Sequence, residues 1–339
     1  MKIWLYCGIA ALVSFIIGVI LYKIFIPYLR KVKLGQKILE IGPSWHKSKE
    51  GTPNLGGLFF IIACLIGWIV AFLFFRNDLI AEYANGILES QSISLVLPKM
   101  LLLLGFALSQ GIIGFVDDYV KLFKKRNKGL SASQKLILQF LTAGIYLFFF
   151  GADTAITTPW GDLELGIFYY VAMLLAIVYI INCANLTDGI DGLAGSVALI
   201  ICVMFMIFAN QVSQLSAEIG ITSAALIGAL LAFLVFNFHP AKIFMGDTGS
   251  LFLGGFVVGL VMLTNNEFIL LPISCIWIIE GLSVVIQVLS FKLTGKRVFK
   301  MSPIHHHFEK CSWSEVKIVA VFSLVTVIFS ALSYYLLII

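Results

Sequence analysis

Ten apolar runs constrain this chain more than any other feature: 3–26, 55–75, 96–116, 136–150, 166–184, 193–209, 221–238, 250–264, 268–291 and 317–339. Crossing a hydrocarbon core of roughly 30 Å takes about 20 residues of helix. In lipid, a segment satisfies its backbone only within a helix or a closed barrel. The runs therefore predict an all-α polytopic membrane protein of ten transmembrane helices, with 1–339 forming one integral membrane domain. Composition agrees: 60% of the 339 residues are apolar and 12% charged, with a mean hydropathy of +1.02. Soluble domains sit near 45–50% and about 25%, so a soluble globular fold, a disordered chain and a disulfide-stapled secreted fold are all excluded. The first run is too long for a signal-peptide core and no small-residue cleavage site follows it, so it reads as a span. Cys7, Cys64, Cys183, Cys202, Cys275 and Cys311 show no paired spacing and read as small packing residues.

Charge orients the spans. The loops after odd-numbered spans hold Arg30, Lys31, Lys33, Lys37, Lys47, Lys49, Lys121, Lys124, Lys125, Arg126, Lys128, Lys135, Lys242, Lys292, Lys296, Arg297, Lys300, Lys310 and Lys317, which is 19 of the 23 basic residues. The opposite side has Lys2, Arg76 and Lys99, and Lys23 lies within the first span. The positive-inside rule puts the odd loops in the cytoplasm and both termini outside. The net charge of +5 is thus a topology signal and implies no nucleic acid partner. The outer loops carry scattered acids (Asp78, Glu82, Glu89, Asp153, Asp162, Glu164, Glu218, Glu267), whereas the inner loops cluster carboxylates, amides, glycines and histidines. The expected active site is at the cytoplasmic face.

Span 3 ends in Gly114-Phe-Val-Asp117-Asp118-Tyr-Val-Lys121. Adjacent carboxylates at a membrane boundary are costly unless a cation relieves them, and Lys121 lies within helical reach of both. Span 5 runs into Asn182, Asn185, Asp188 and Asp191, one polar group at every third position, interleaved with Gly189 and Gly192. These are expected to converge on one side, with glycine admitting a ligand close to the backbone. The spacing does not fit an EF-hand, which needs a closing Glu. Between spans 7 and 8, Gly246-Asp247-Thr248-Gly249-Ser250 puts backbone N–H groups at a helix start, a predicted phosphate seat, with Asp247 as the metal carboxylate beside it. Phe244 and Asn237 are candidates to stack on and hydrogen-bond a base.

The last inner loop carries His305-His306-His307. Consecutive residues point in divergent directions and no cysteines accompany them, so phosphate or sugar contacts fit better than zinc. Thr52-Pro53 before span 2 reads as a helix start, set against a ligand contact from the same segment. Glu280, in the middle of span 9, is either functional or satisfied by an interhelical hydrogen bond. Together these groups suit a Mg²⁺-dependent transfer between a nucleotide-linked donor and a phosphorylated lipid. No Walker loop is present, which argues against an ATP-driven pump. A secondary transporter would hold its acids near the bilayer midplane, where only Glu280 lies.

The Asp117-Asp118-x-x-Lys121 stretch, Asn185-Leu-Thr-Asp188-Gly189-Ile190-Asp191-Gly-Leu-Ala, Phe244-Met-Gly-Asp247-Thr-Gly-Ser and Ser302-Pro-Ile-His305-His306-His307-Phe-Glu resemble the polyprenyl-phosphate sugar-1-phosphate transferases. The resemblance covers essentially the whole chain in the expected order. The His-His-His loop and the Gly51-Thr-Pro-x-x-Gly-Gly segment point to the muramoyl branch, rather than to relatives that use UDP-GlcNAc. The resemblance implies transfer of phospho-MurNAc-pentapeptide from UDP-MurNAc-pentapeptide to undecaprenyl phosphate, giving lipid I and UMP. It further implies Mg²⁺ as cofactor, a bacterial cell membrane and a homodimer. It implies catalytic roles for Asp117, Asp118, Lys121, Asn185, Asp247 and His305, with Asp247 the Mg²⁺ ligand. Lys49, Gly189, Asp191, Asn237 and Phe244 match its nucleoside pocket, and Asn54, Asp188, Ile190, His306 and His307 complete the candidate substrate contacts. Asn54 departs from the pattern, standing where threonine is expected.

Overall fold

A computed structural model describes residues 2–32, 49–84, 90–123, 129–151, 154–209 and 216–338. Of the charges used for orientation, Lys33, Lys37, Lys47, Lys124, Lys125, Arg126, Lys128, Glu89 and Asp153 lie outside the described residues. The helices are α1 (Lys2–Lys31), α2 (Gly56–Ala84), α3 (Ser90–Phe123), α4 (Ala132–Phe150), α5 (Phe168–Thr187), α6 (Leu193–Phe208), α7 (Ser216–Asn237), α8 (Gly246–Leu263), α9 (Leu270–Ile273), α10 (Cys275–Thr294), α11 (Ile304–Glu309) and α12 (Glu315–Ile338).

Among the described residues, nine helices are long and apolar enough to cross a membrane: α1 to α5, α7, α8, α10 and α12. Every apolar run of the sequence falls on a helix, but α6 has only 16 residues. At 1.5 Å per residue it rises about 24 Å, less than the roughly 30 Å core. The ninth run is also not one continuous helix. A 3-10 turn, Glu267–Ile269, leads into the short α9, and the helix geometry breaks at Ser274 before α10 begins. Between α4 and α5 the structure adds an element absent from the all-helical expectation. An antiparallel hairpin pairs β1 (Ala155–Thr158) with β2 (Gly161–Glu164), register Ala155↔Glu164 to Thr158↔Gly161.

α8 is the axis of the bundle. Almost all of it is buried, from Thr248 to Leu263, whereas α1 and α4 turn most of their surface outward. Without a hydrophobic drive between helices in lipid, close approach through small residues holds a bundle together. On α8, Gly255 and Gly259 pack against Gln110 and Leu103 of α3, and Gly254 packs against Ile181 of α5. This places the start of α8 beside the ends of α3 and α5, where the acidic motifs lie.

Candidate active site

The end of α3 meets the start of α8 through Gly114. A Cβ there would lie 2.1 Å from the Asp247 carbonyl oxygen, so only glycine lets the two backbones come this close. The contact carries Asp117 and Asp118 alongside Asp247. Oxygens of the three carboxylates lie within 4.8 Å of one another. Like charges at that spacing require cations, and lysines supply them. Lys121 reaches Asp117 at 2.5 Å and Asp247 at 3.0 Å, and Lys135 reaches Asp247 at 2.9 Å. Lys121 thus bridges Asp117 and Asp247, where helical spacing predicted Asp117 and Asp118. Asn185 donates to Asp247 Oδ1 and to Ser250 Oγ, both at 2.8 Å.

Asp118 corrects the predicted phosphate seat. Its carboxylate accepts from the backbone N–H of Asp247 (3.2 Å), the N–H of Thr248 (2.9 Å) and the Thr248 hydroxyl (2.7 Å). The first donors of α8 are therefore taken by a carboxylate from α3, which neutralises the helix terminus as an anion would. Asp117 accepts the Leu130 N–H at 2.7 Å. Asp247 is the most exposed of the three, with 19% of its side chain accessible against 4% for Asp117, and its oxygens accept from Lys121, Lys135 and Asn185. The cluster offers oxygen atoms only, the donor set a hard cation such as Mg²⁺ selects.

The four polar positions along α5 and its following loop do not converge. Asn182 turns to Gln139 of α4 at 2.8 Å, Asn185 to Asp247, and Asp191 to a second cluster. Asp188, half-buried just past α5, has its carboxyl pushed up to about 8 by burial first and then by Asp247, Asp118 and Asp191. Ile190 is buried in the apolar core.

In the second cluster, Asp191 accepts from Lys49 Nζ (2.8 Å), His239 Nδ1 lies 3.0 Å from it, and the Ala241 N–H donates at 3.0 Å. Lys49 also donates to Glu315 at 2.7 Å. Asn237 is buried with both ends of its amide engaged, accepting from Gly192 N–H at 3.0 Å and donating to the Ile243 carbonyl at 2.8 Å. It braces the loop here, with one N–H and one lone pair of its amide beyond these two bonds. Thr52-Pro53 does not start a helix either. Phe244 N–H donates to the Pro53 carbonyl, and Gly56 and Gly57 donate back to Phe244 and Met245, so the segment docks on the loop before α8. Phe244 is half-buried in this join, and Asn54 accepts from the Leu55 N–H.

The histidines diverge as expected. His305 turns inward to Glu280 at 3.1 Å, His306 pairs with Glu309 at 2.5 Å, and His307 Nδ1 accepts the Lys300 N–H at 3.1 Å. His305 Nε2 faces Gly189, where an added Cβ would lie 2.2 Å away. The His loop therefore touches the loop that follows α5.

Residues 100–265 match glycosyl transferase family 4. Relatives named phospho-N-acetylmuramoyl-pentapeptide-transferase are 43% identical in Bacillus subtilis, with 96% of both chains covered, and 42% identical in Clostridioides difficile, with 95% of both covered. A third of the same name, from Clostridium perfringens, is 43% identical over 96% of this chain and 95% of its own. The chain belongs to the phospho-N-acetylmuramoyl-pentapeptide-transferases. In this transferase, sequence reasoning missed Lys135, His239 and Glu315 as members of the two clusters. Lys135 carried one usable signal. The capping box of Ser131 and Gln134 fixes the start of α4 and with it the direction of the first turn.

Proposed function

We propose that this transferase moves phospho-MurNAc-pentapeptide from UDP-MurNAc-pentapeptide to undecaprenyl phosphate, giving lipid I and UMP, at the cytoplasmic face of the bacterial inner membrane. The observation that carries the reading is the junction of α3 and α8, where Asp117, Asp118 and Asp247 meet two lysines. Asp247, the most exposed carboxylate, would hold Mg²⁺ with Asp117 beside it, the ion taking over contacts that Lys121 and Lys135 now make. The ion would supply positive charge to the donor diphosphate.

The lipid phosphate is largely dianionic at pH 7, since a phosphate monoester has a second pKa near 6. It needs orientation more than activation. One of its oxygens attacks the sugar-bearing phosphorus, and the bond to UMP breaks as the new phosphorus–oxygen bond forms. Asp117, buried and held by Lys121 and the Leu130 N–H, orients that nucleophile or removes its remaining proton. Both its oxygens are engaged, which supports direct attack over an aspartyl-phosphate. Lys121 and Lys135 stand where charge develops on the leaving phosphate. Lys49, Gly189, Asp191 and Phe244 form the nucleotide end, and His305 closes over it. Ten spans, both termini outside, one membrane domain over 1–339 and a homodimer belong to the same proposal, supported by the basic loops and by the family resemblance.

The test is radiolabel transfer from UDP-MurNAc-pentapeptide to undecaprenyl phosphate by the purified protein, with and without Mg²⁺. Labelled lipid and released UMP in equal amounts are expected, with UDP-GlcNAc failing to compete. Absence of transfer, or preference for UDP-GlcNAc, overturns the reading.

A further inference from the structure

Glu315 belongs to none of the sequence motifs and has no part in the chemistry above, yet it completes the cluster around Lys49. It opens α12 and its Oε2 accepts from Lys49 Nζ at 2.7 Å and from the Asp191 N–H at 2.9 Å. Its other oxygen lies 3.8 Å from His239 Nδ1. The side chains are mostly buried, 15% exposed for Lys49, 2% for Asp191 and 12% for Glu315. Four distant segments meet here: the approach to α2, the loop after α5, the loop after α7 and the first turn of α12.

The carboxylate of Asp191 is already divided among Lys49, His239 and Ala241. It grips Lys49 through one oxygen, and a lysine on a flexible stem held by a single pair is poorly fixed. Glu315 supplies the second grip. An ammonium has three N–H donors. Among the described residues, two of those on Lys49 go to Asp191 and Glu315, leaving one direction for an oxygen of a ligand. Asp191, His239 and Glu315 are close enough to share a metal ion, but Lys49 already supplies positive charge between the two carboxylates.

We propose that Glu315 is a positioning residue for the nucleotide substrate. It aims the Lys49 ammonium and ties the backbone of Asp191 to α12. The proposal rests on the reading that Lys49 and Asp191 belong to the nucleotide end.

The experiment is a double-mutant cycle on the full-length protein, with KM measured separately for UDP-MurNAc-pentapeptide and undecaprenyl phosphate. Glu315→Ala should raise KM for the UDP substrate about tenfold or more, with a smaller effect on kcat and on KM for the lipid. Glu315→Gln keeps an acceptor for the Asp191 N–H and loses the charge, so its effect should fall between. It carries the test if the alanine variant does not survive purification. In a Lys49→Ala background either change should add clearly less than it does in the wild type, because only the tie to the Asp191 N–H is left to lose. Multiplying effects, or equal rises in both KM values, would show a general structural defect and overturn the proposal. So would unchanged KM in both Glu315 variants when Lys49→Ala weakens binding. If Lys49→Ala itself leaves KM unchanged, the nucleotide reading has failed, and this proposal falls with it.

Discussion

His305 Nδ1 lies 3.1 Å from Glu280 Oε1, and both side chains are almost completely buried. The pair ties the His loop to α10 and turns Nε2 toward Gly189, with no partner for that nitrogen among the described residues. A carboxylate on Nδ1 fixes which ring nitrogen carries a proton and so what Nε2 can offer. Gly189→Ala would place a methyl 2.2 Å from Nε2 and push the loop away. Overpacking of this kind costs about 1–3 kcal/mol, and transfer should fall roughly tenfold or more. Glu280→Gln, which keeps an acceptor, should retain more activity than Glu280→Leu. Wild-type turnover in Gly189→Ala would mean that this contact does not position His305.

The helices were legible because lipid leaves an apolar run few alternatives: each run lies on helical elements, the ninth broken at Ser274. The hairpin was not, since each strand has only four residues and its pairing depends on a turn at Pro159-Trp160 rather than on hydrophobic alternation. At the site, Asp117, Asp118 and Asp247 announced themselves by clustering charge beside apolar sequence. Their division of labour did not. The Gly-Asp-Thr-Gly-Ser stretch looks like a helix start with free donors, and nothing local shows that Asp118, 129 residues earlier than Asp247, takes them. Glu315 was hidden for a similar reason: a glutamate in the first turn of a helix has a sufficient local explanation in the helix dipole, and only packing reveals Lys49 against it.

Loss of charge at Asp118 should be read first in stability, and at Asp247 first in transfer. Asp118→Asn removes the negative charge from three donors at the start of α8. It should cost about 1–2 kcal/mol of stability, read as a lower Tm in detergent. Asp247→Asn relieves repulsion among the carboxylates while stripping the counter-charge from Lys121 and Lys135. It should lower transfer by about a hundredfold or more, with no recovery at high Mg²⁺, and lower Tm too, since Lys121 and Lys135 lose their partner. The reverse pattern would reassign the two aspartates.

Orientation can be read by labelling. In a Cys311→Ser background, Thr158→Cys on the hairpin and Arg297→Cys in the loop after α10 lie on opposite sides in the ten-span arrangement. A membrane-impermeant thiol reagent applied to intact cells should label the first and spare the second. Labelling both from one side would remove the basis for a cytoplasmic active site.

Asp188 gives the protein a pH dependence with a definite sign. Its carboxyl, raised from 3.8 to about 8, stays protonated in the folded protein through neutral pH, whereas the unfolded chain ionises it near 3.8. Between those values the folded state binds more protons, so stability falls as pH rises. The contribution is fully present below 3.8 and is lost as pH passes about 8. Asp188→Asn is neutral throughout and escapes this loss. The Tm of the variant relative to wild type should therefore climb between about pH 5 and pH 9 and level off above. Mg²⁺ placed among the same carboxylates favours ionised Asp188, so adding it should shrink the climb. A difference in Tm that does not vary with pH would mean that Asp188 ionises alike in both states, and the crowding of carboxylates around it would then be relieved by groups other than those named here.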